Sequence, residues 1–340
     1  MHEEQLNAPK QHYERLALHP VAGSYSLASE DHPHRNEDAH FEGTYTFIVA
    51  DGMGGEASGE VASAQVIKSM SNYLDVPRWQ TTDQDVTNAI KAAGAQTYAD
   101  IVKADPNKRG IGSVVVGARF YDVPAHALPN GRHQPEQTHV TVFNVGDTRA
   151  YLDSPMRGDT FQVLTLDNGG KTHTKEAQVV MADATKTADL GQFLGQFAIR
   201  NRAVGYHSYE KEPALELHSF RMLPGDRLLL CTDGIHDLLT DPELLDLMTM
   251  AETGRLPKDS RIRELLKHDQ SLDGDGQFTA AVAELFADLG NPALGAKVIV
   301  HAAYARTSQT DDMRVRGAQG MGGKRADDMT ATIIKTAKTA

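Results

Sequence analysis

An α+β fold with antiparallel sheets covered by helices is what this 340-residue sequence predicts. Three observations predict it. Apolar, β-branched runs of strand length recur along the chain, bounded by turn residues. The helical stretches come in pairs rather than one between each two strands, so there is no βαβ rhythm. Several strand-like runs end at or near a short acidic motif, and this third observation bears on chemistry.

Thr44–Ala50 reads as a strand, aromatic and β-branched, that ends at Asp51. Ser58–Leu74 reads as a helix capped by Ser58, with Val61, Ala64, Ile67 and Met70 recurring on one face. A second helix spans Asp83–Val102, with Val86, Ile90, Ala93 and Ile101 inward. Ser113–Phe120, His139–Val145 and Ala150–Asp153 follow as strands. Tyr121–Gln137 contains three prolines and reads as a loop. Leu215–Arg221 and Arg227–Thr232 flank the turn Leu223-Pro224-Gly225-Asp226 and read as a hairpin. Asp241–Leu289 holds about three helices by the same reading, and Ala331–Thr336 is a final strand.

Hydrophobic content of 40% and charged content of 24% are those of an ordinary globular chain. No apolar run approaches the ~20 residues of a membrane helix, and Met1–His19 lacks the apolar core of a signal peptide. One cysteine, Cys231, leaves no internal disulfide and fits a reducing, cytoplasmic compartment. The net charge of −12, from 34 basic and 46 acidic residues, argues against nucleic-acid binding through phosphate neutralisation. It also keeps the protein soluble.

Five acidic motifs run in order: Arg35-Asn36-Glu37-Asp38-Ala39, Asp51-Gly52-Met53-Gly54-Gly55, Val145-Gly146-Asp147-Thr148-Arg149, Thr232-Asp233-Gly234-Ile235-His236-Asp237 and Asp327-Asp328-Met329-Thr330. Taken singly, an Asp-Gly at a strand end is a turn former and a Glu-Asp pair is a solvated turn. Together they are carboxylates without a His or Cys set for zinc. Hard divalent cations take such oxygen ligands, and Mg²⁺ in particular keeps several waters. A fold that gathered the five loops would hold a two- or three-cation centre able to activate water and clamp a phosphoryl group. Cys231 has Asp237 six residues on rather than a phosphate-cradling Arg, and Gly322-Gly323-Lys324 is followed by Arg325, so neither a Cys phosphatase nor a P-loop is indicated. Asp273-Gly274-Asp275 with Glu284 echoes a calcium loop, but Phe278 stands where the sharp turn needs Gly. Asp311-Asp312-Met313 copies Asp327-Asp328-Met329, and Asp327 is preferred because Thr330–Ile334 continues as a strand.

In order and wording these motifs resemble the PPM (PP2C-like) family of metal-dependent Ser/Thr protein phosphatases. The most specific segment is Asp51–Gly55 followed by Ala57-Ser58-Gly59-Glu60-Val61-Ala62-Ser63, and Met53 is similar to the bacterial branch. The resemblance covers about residues 22–237 and 293–336. It implies a PP2C-like α-β-β-α sandwich of two antiparallel sheets flanked by helices. It further implies an N-terminal extension at 1–21, a phosphatase domain at 22–340, a flap at about 168–201, and a helical insertion of open role at about 241–289.

The resemblance also implies the chemistry. A water activated at a binuclear Mg²⁺ or Mn²⁺ centre hydrolyses phosphoserine or phosphothreonine on a phosphorylated protein, opposing a Ser/Thr kinase. On this resemblance Asp51 bridges two tightly bound ions and Gly52 offers its carbonyl oxygen. Glu37 belongs to the second ion, Asp233 and Asp327 complete the first, and Asp38 orients bound water. Asp147 and Asp237 match positions that hold a third, weaker ion in relatives. Two departures stand out. The phosphate-binding Arg usual four residues before Glu37 is replaced by Pro33, which leaves Arg35 as the nearest candidate and His32 and His34 as alternatives. Met53 stands where some members carry a proton-donating His. A pseudophosphatase binding module and a small-molecule phosphatase are the rival readings. Retention of Glu37, Asp51, Asp233 and Asp327 counts against the first.

Overall fold

The computed structural model describes residues 18–29, 32–53, 59–77, 83–102, 111–127, 133–134, 136–157, 160–165, 215–270, 276–308 and 327–338. In chain order the strands are β1 (Leu18–Leu27), β2 (Asp38–Glu42), β3 (Thr46–Met53), β4 (Gly112–Val123), β5 (His126–Ala127), β6 (His133–Gln134), β7 (Gln137–Val145), β8 (Arg149–Ser154), β9 (Thr160–Val163), β10 (Glu216–Arg221), β11 (Arg227–Cys231) and β12 (Met329–Lys338). The helices are α1 (Gly59–Leu74), α2 (Asp83–Thr97), α3 (Asp233–His236), α4 (Asp241–Thr253), α5 (Ile262–Asp269), α6 (Gln277–Ala287) and α7 (Pro292–Ser308). One five-stranded sheet has the order β1-β12-β11-β8-β9 and the other β10-β7-β4-β3-β2. Every pairing in both is antiparallel.

The two-residue period of a strand sends alternate side chains to opposite faces, and here both faces are covered. Phe47 and Val49 of β3, Val116 and Phe120 of β4 and Val142 of β7 meet Leu152 of β8, Leu228 and Leu230 of β11 and Ile334 of β12 between the sheets. The intervening Ile48, Ala50, Val115 and Phe143 face Val66 and Met70 of α1 and Val86 and Ile90 of α2. On the far side Leu229, Cys231, Ala331 and Ile333 face Leu244 and Met248 of α4, Phe278 of α6 and Ile299 and Ala303 of α7. The result is four layers, α-β-β-α. Burial on both faces explains why runs such as Leu228–Cys231 read as continuously apolar rather than alternating.

The three helices expected in 241–289 are α4, α5 and α6, and with α7 they form the layer over the first sheet. α4 starts with a capping box between Thr240 and Glu243 and a proline in its first turn, and ends at Gly254 with φ +67°. The sequence reading did not foresee β1, β2 or α7. β1 begins at Leu18, opposite Lys338, so residues 18–21 of the stretch read as an extension belong to the sheet. β3 runs on through Met53, so Asp51 lies within the strand. β4 takes in Tyr121–Val123, and β5 pairs with β6 inside the expected loop. Helix α2 gives way to a wider π turn at Tyr98–Val102. The flap at 168–201, Ser58, Gly54, Gly55, the calcium-loop echo at 273–275 and the copy at 311–323 lie outside the described residues. Within that echo's reach, Phe278 is fully buried and Glu284 pairs with Lys297 at 2.7 Å.

One expectation is corrected. Leu215–Arg221 and Arg227–Thr232 are not a hairpin: β10 pairs with β7 in one sheet, and β11 pairs with β12 and β8 in the other. The turn at 223–226 carries the chain across the sandwich. Its sequence has the local chemistry of a hairpin turn, but Asp226 anchors it elsewhere. Fully buried, Asp226 accepts hydrogen bonds from Leu223 N–H at 2.9 Å and Ser154 Oγ at 2.5 Å, with Arg157 at 3.4 Å. Thr336 Oγ1 holds the Leu223 carbonyl at 2.9 Å.

Asp226→Ala would strand these buried donors. It should lower unfolding free energy by about 1–3 kcal/mol in urea denaturation. An unchanged transition midpoint would mean that the crossover does not depend on this side chain.

Candidate metal centre

The crossover turn lies at one end of the sandwich, and five carboxylates lie at the other. β2 and β3 pair so that Asp38 stands opposite Asp51. The turn from β7 to β8 carries Asp147, α3 begins with Asp233 just beyond β11, and Asp327 precedes β12. Asp51 feels the result. Burial first, then repulsion from Asp38, Asp233, Asp147 and Asp327, holds its carboxyl well above the ordinary carboxylate range. Four of the seven acids singled out in the sequence thus act on Asp51. Among the described residues no three Asp, Glu, His or Cys side chains are clustered tightly enough to ligate one ion as they stand.

Asp38 is buried, and its Oδ2 accepts a hydrogen bond from Thr232 Oγ1 at 2.9 Å. Its Oδ1 is buried with no hydrogen-bond partner among the described residues. Burial pushes its carboxyl up; the Thr330 and Thr232 hydroxyls pull it down, while Asp328 and Asp233 push it up. Thr232 and Thr330 also bind each other: Thr330 N–H donates to Thr232 Oγ1 at 3.0 Å and Thr232 N–H to the Thr330 carbonyl at 3.1 Å. They stitch the end of β11 to the start of β12 directly beneath Asp38.

Glu37 sits on the loop that enters β2. Its Oε1 lies 3.5 Å from Arg35 Nε. Burial raises its carboxyl, Arg35 and His32 lower it, and Asp328 and Asp327 raise it again. Gly52 N–H donates to the Glu37 carbonyl at 3.0 Å. A Cβ on Gly52 would stand 2.0 Å from the Gly59 carbonyl oxygen, so this close backbone approach demands glycine.

Asp237 closes α3 one turn after Asp233, with its N–H on the Asp233 carbonyl at 2.9 Å. It is exposed, at the rim rather than the floor. Arg35 comes to the centre through Glu37. His32 is held at the edge of the same loop, its Nδ1–H donating to the Arg35 carbonyl at 2.8 Å. That bond raises its pKa; burial opposes it, Asp328 and Glu37 support it, and Arg35 opposes it.

Asp328 was missed by the sequence reading. Nearly fully buried, it accepts Ser29 N–H at 2.6 Å and Glu37 N–H at 2.5 Å, with His32 Nδ1 3.6 Å away. It therefore clamps the loop that carries Glu37. The available signal was the doubled acid itself: adjacent residues entering a strand point to opposite sides, so Asp327 and Asp328 could not share one function.

A sequence profile described as Protein phosphatase 2C matches residues 29–267. The chain belongs to the protein phosphatase 2C family. The serine/threonine protein phosphatase PstP of Mycobacterium tuberculosis is 28% identical over 217 residues, which is 64% of this chain and 37% of PstP. The chain thus spans well under half the length of that relative. The serine/threonine phosphatase stp of Listeria innocua is 25% identical over 214 residues, 61% of this chain and 72% of stp. Among solved structures, the catalytic domain of PstP in complex with two manganese ions superposes with a TM-score of 0.57 at 21% identity, covering 94% of this chain and 99% of that one. PppA of Pseudomonas aeruginosa superposes with a TM-score of 0.54 at 18% identity. At these identities the structural likeness is one of fold.

The carboxyls of Asp38 and Asp51 hold protons more tightly in the folded than in the unfolded chain, where the ordinary value is 3.8. Between 3.8 and the raised values the folded state binds more protons, so stability falls as pH rises through that window. The melting temperature in EDTA should therefore rise as pH is lowered through that window toward 3.8, and saturating Mn²⁺ should flatten the slope. A metal-free melting temperature that does not change over that range would contradict the crowding of these groups.

Proposed function

We propose that this chain is a metal-dependent phosphatase of phosphoserine and phosphothreonine in proteins, acting at a binuclear Mg²⁺ or Mn²⁺ centre and opposing a Ser/Thr kinase. The observation that carries the reading is the convergence of Asp38, Asp147, Asp233 and Asp327 on Asp51. The donor set fits hard divalent cations. It is all oxygen, and it includes a buried carboxylate, Asp38, whose Oδ1 accepts no hydrogen bond of ordinary geometry among the described residues. When bound, such ions supply an acidified water and stabilise charge on the phosphoryl oxygens.

The residues then divide the work. Asp51 would bridge the two ions. Asp233 and Asp327 would complete the first, and Glu37 with the Gly52 carbonyl the second. Asp38 has Oδ2 occupied by Thr232 and keeps Oδ1 to orient the water for in-line attack on phosphorus. Asp147 and Asp237 would hold a third, weaker ion at the rim. Arg35 lies beside Glu37, where its guanidinium would take the substrate phosphate. Met53 offers no proton for the leaving group, so water or another group would supply it. The phosphatase unit would take in β1 and so run over 18–340, with a flap at about 168–201. In this reading the 241–289 stretch supports the first sheet rather than the chemistry. A cytoplasmic location fits the single cysteine. Among the described residues no helix is long and apolar enough to cross a membrane.

Asp51→Asn and Asp233→Asn should each cut phosphopeptide turnover by at least about a hundredfold while circular dichroism shows the fold intact. Excess EDTA should abolish turnover; full activity there would sink the metal mechanism. Faster turnover of sugar phosphates than of phosphopeptides would move the substrate class.

Arg35→Ala should raise KM for phosphopeptide several-fold or more, and Arg35→Lys should recover little, because a point charge replaces a bidentate fork. If KM does not move, Arg35 serves only as the partner of Glu37.

A further inference from the structure

His236 is used by none of the chemistry above, yet it is placed between two of its acids. It is 8% exposed. Its Nε2 lies 2.8 Å from the carbonyl oxygen of Asp147, and because a carbonyl only accepts, Nε2 carries the proton and donates. Its Nδ1 lies 3.6 Å from Asp237 Oδ1. One imidazole therefore touches both residues assigned to the weaker cation, although one stands on the β7–β8 turn and the other at the end of α3.

The turn it touches is stiff. Gly146 has φ +110°, and a Cβ there would lie 2.2 Å from Val114 Cγ1. Thr148 Oγ1 donates to Asn144 Oδ1 at 2.9 Å, and Asn144 Nδ2 to the Gly146 carbonyl at 3.3 Å. A turn braced in this way moves as a body. A contact from α3 to its backbone then fixes where the Asp147 carboxylate stands relative to Asp237.

We propose that His236 is a positioning residue for the outer cation site: its Nε2–H docks the Asp147 turn onto α3 and so sets the Asp147–Asp237 separation. This deepens the third-ion reading and rests on it. The plain alternative is that His236 only fills space at the junction.

Gln and Asn separate the two ideas. The Gln amide nitrogen falls near the position of Nε2 and the Asn nitrogen near Nδ1, and both lose the ring. Mn²⁺ binding to the full chain, followed calorimetrically at constant pH, is the readout, with Mn²⁺ activation of phosphopeptide turnover beside it. In His236→Asn the weaker class of sites should lose about tenfold or more in affinity while the tight pair is unchanged. His236→Gln should stay within about threefold of wild type, as an outer partner that keeps its donor should. Equal behaviour of the two variants, or an intact weaker class in both, would overturn the docking role. If His236→Asn melts below the titration temperature, His236→Gln decides alone: a retained weaker class supports the contact and a lost one rejects it. A wild-type protein with no weaker class, or one whose weaker class survives Asp147→Ala, would instead bring down the third-ion reading, and this inference with it.

Discussion

Repulsion among like charges is the constraint on which this structure turns. Two carboxylates about 6 Å apart at an effective dielectric of about 20 repel by about 3 kcal/mol. An ordinary hydrogen bond returns about 1 kcal/mol net. No single contact can therefore hold Asp38, Asp147, Asp233 and Asp327 around Asp51. The scaffold must do so collectively, and a sandwich buried on both faces of both sheets is stiff enough for that.

The stiffness is delivered to the site through a few short-range devices. Antiparallel pairing of β2 with β3 fixes Asp38 opposite Asp51. The mutual Thr232–Thr330 hydrogen bonds bind β11 to β12 where the acids leave the sheet. Asp328 collects two backbone N–H groups and so places the Glu37 loop. Glycines at 52, 59 and 234 let backbones touch: a Cβ at Gly234 would lie 2.1 Å from the Asp328 carbonyl oxygen. These contacts are local, but each draws its rigidity from the layers behind it.

Stability and function pull in opposite directions here. Raised carboxyls at Asp38 and Asp51 record that ionising them in the folded state is costly. A group of acids poised in this way is a reservoir that binding of divalent cations can release. The polar groups at the far end show the other solution. Asp226 is fully buried, but it is met by Leu223 N–H, Ser154 Oγ and Arg157, so it needs no ion.

The sequence by itself determined the family, the acids and most of the strands. Short motifs such as Asp51-Gly52-Met53 are legible because each acid-bearing loop is written in consecutive residues, and the α+β class follows from local periodicity. What only the tertiary structure decided depends on residues distant along the chain. The turn at 223–226 could have closed a hairpin on its own chemistry; contacts from Ser154 and Thr336 made it cross between sheets. β1 was invisible because its partner, β12, lies more than three hundred residues away, from Leu18 to Lys338. Asp328 had no assigned role until the fold brought Ser29 and Glu37 to it. His236 read as one letter of a motif until the Asp147 turn was seen against it. Local sequence specifies which groups are present and the element that carries each; long-range packing decides which of them meet, because burial and pairing energies depend on neighbours that the local sequence does not contain.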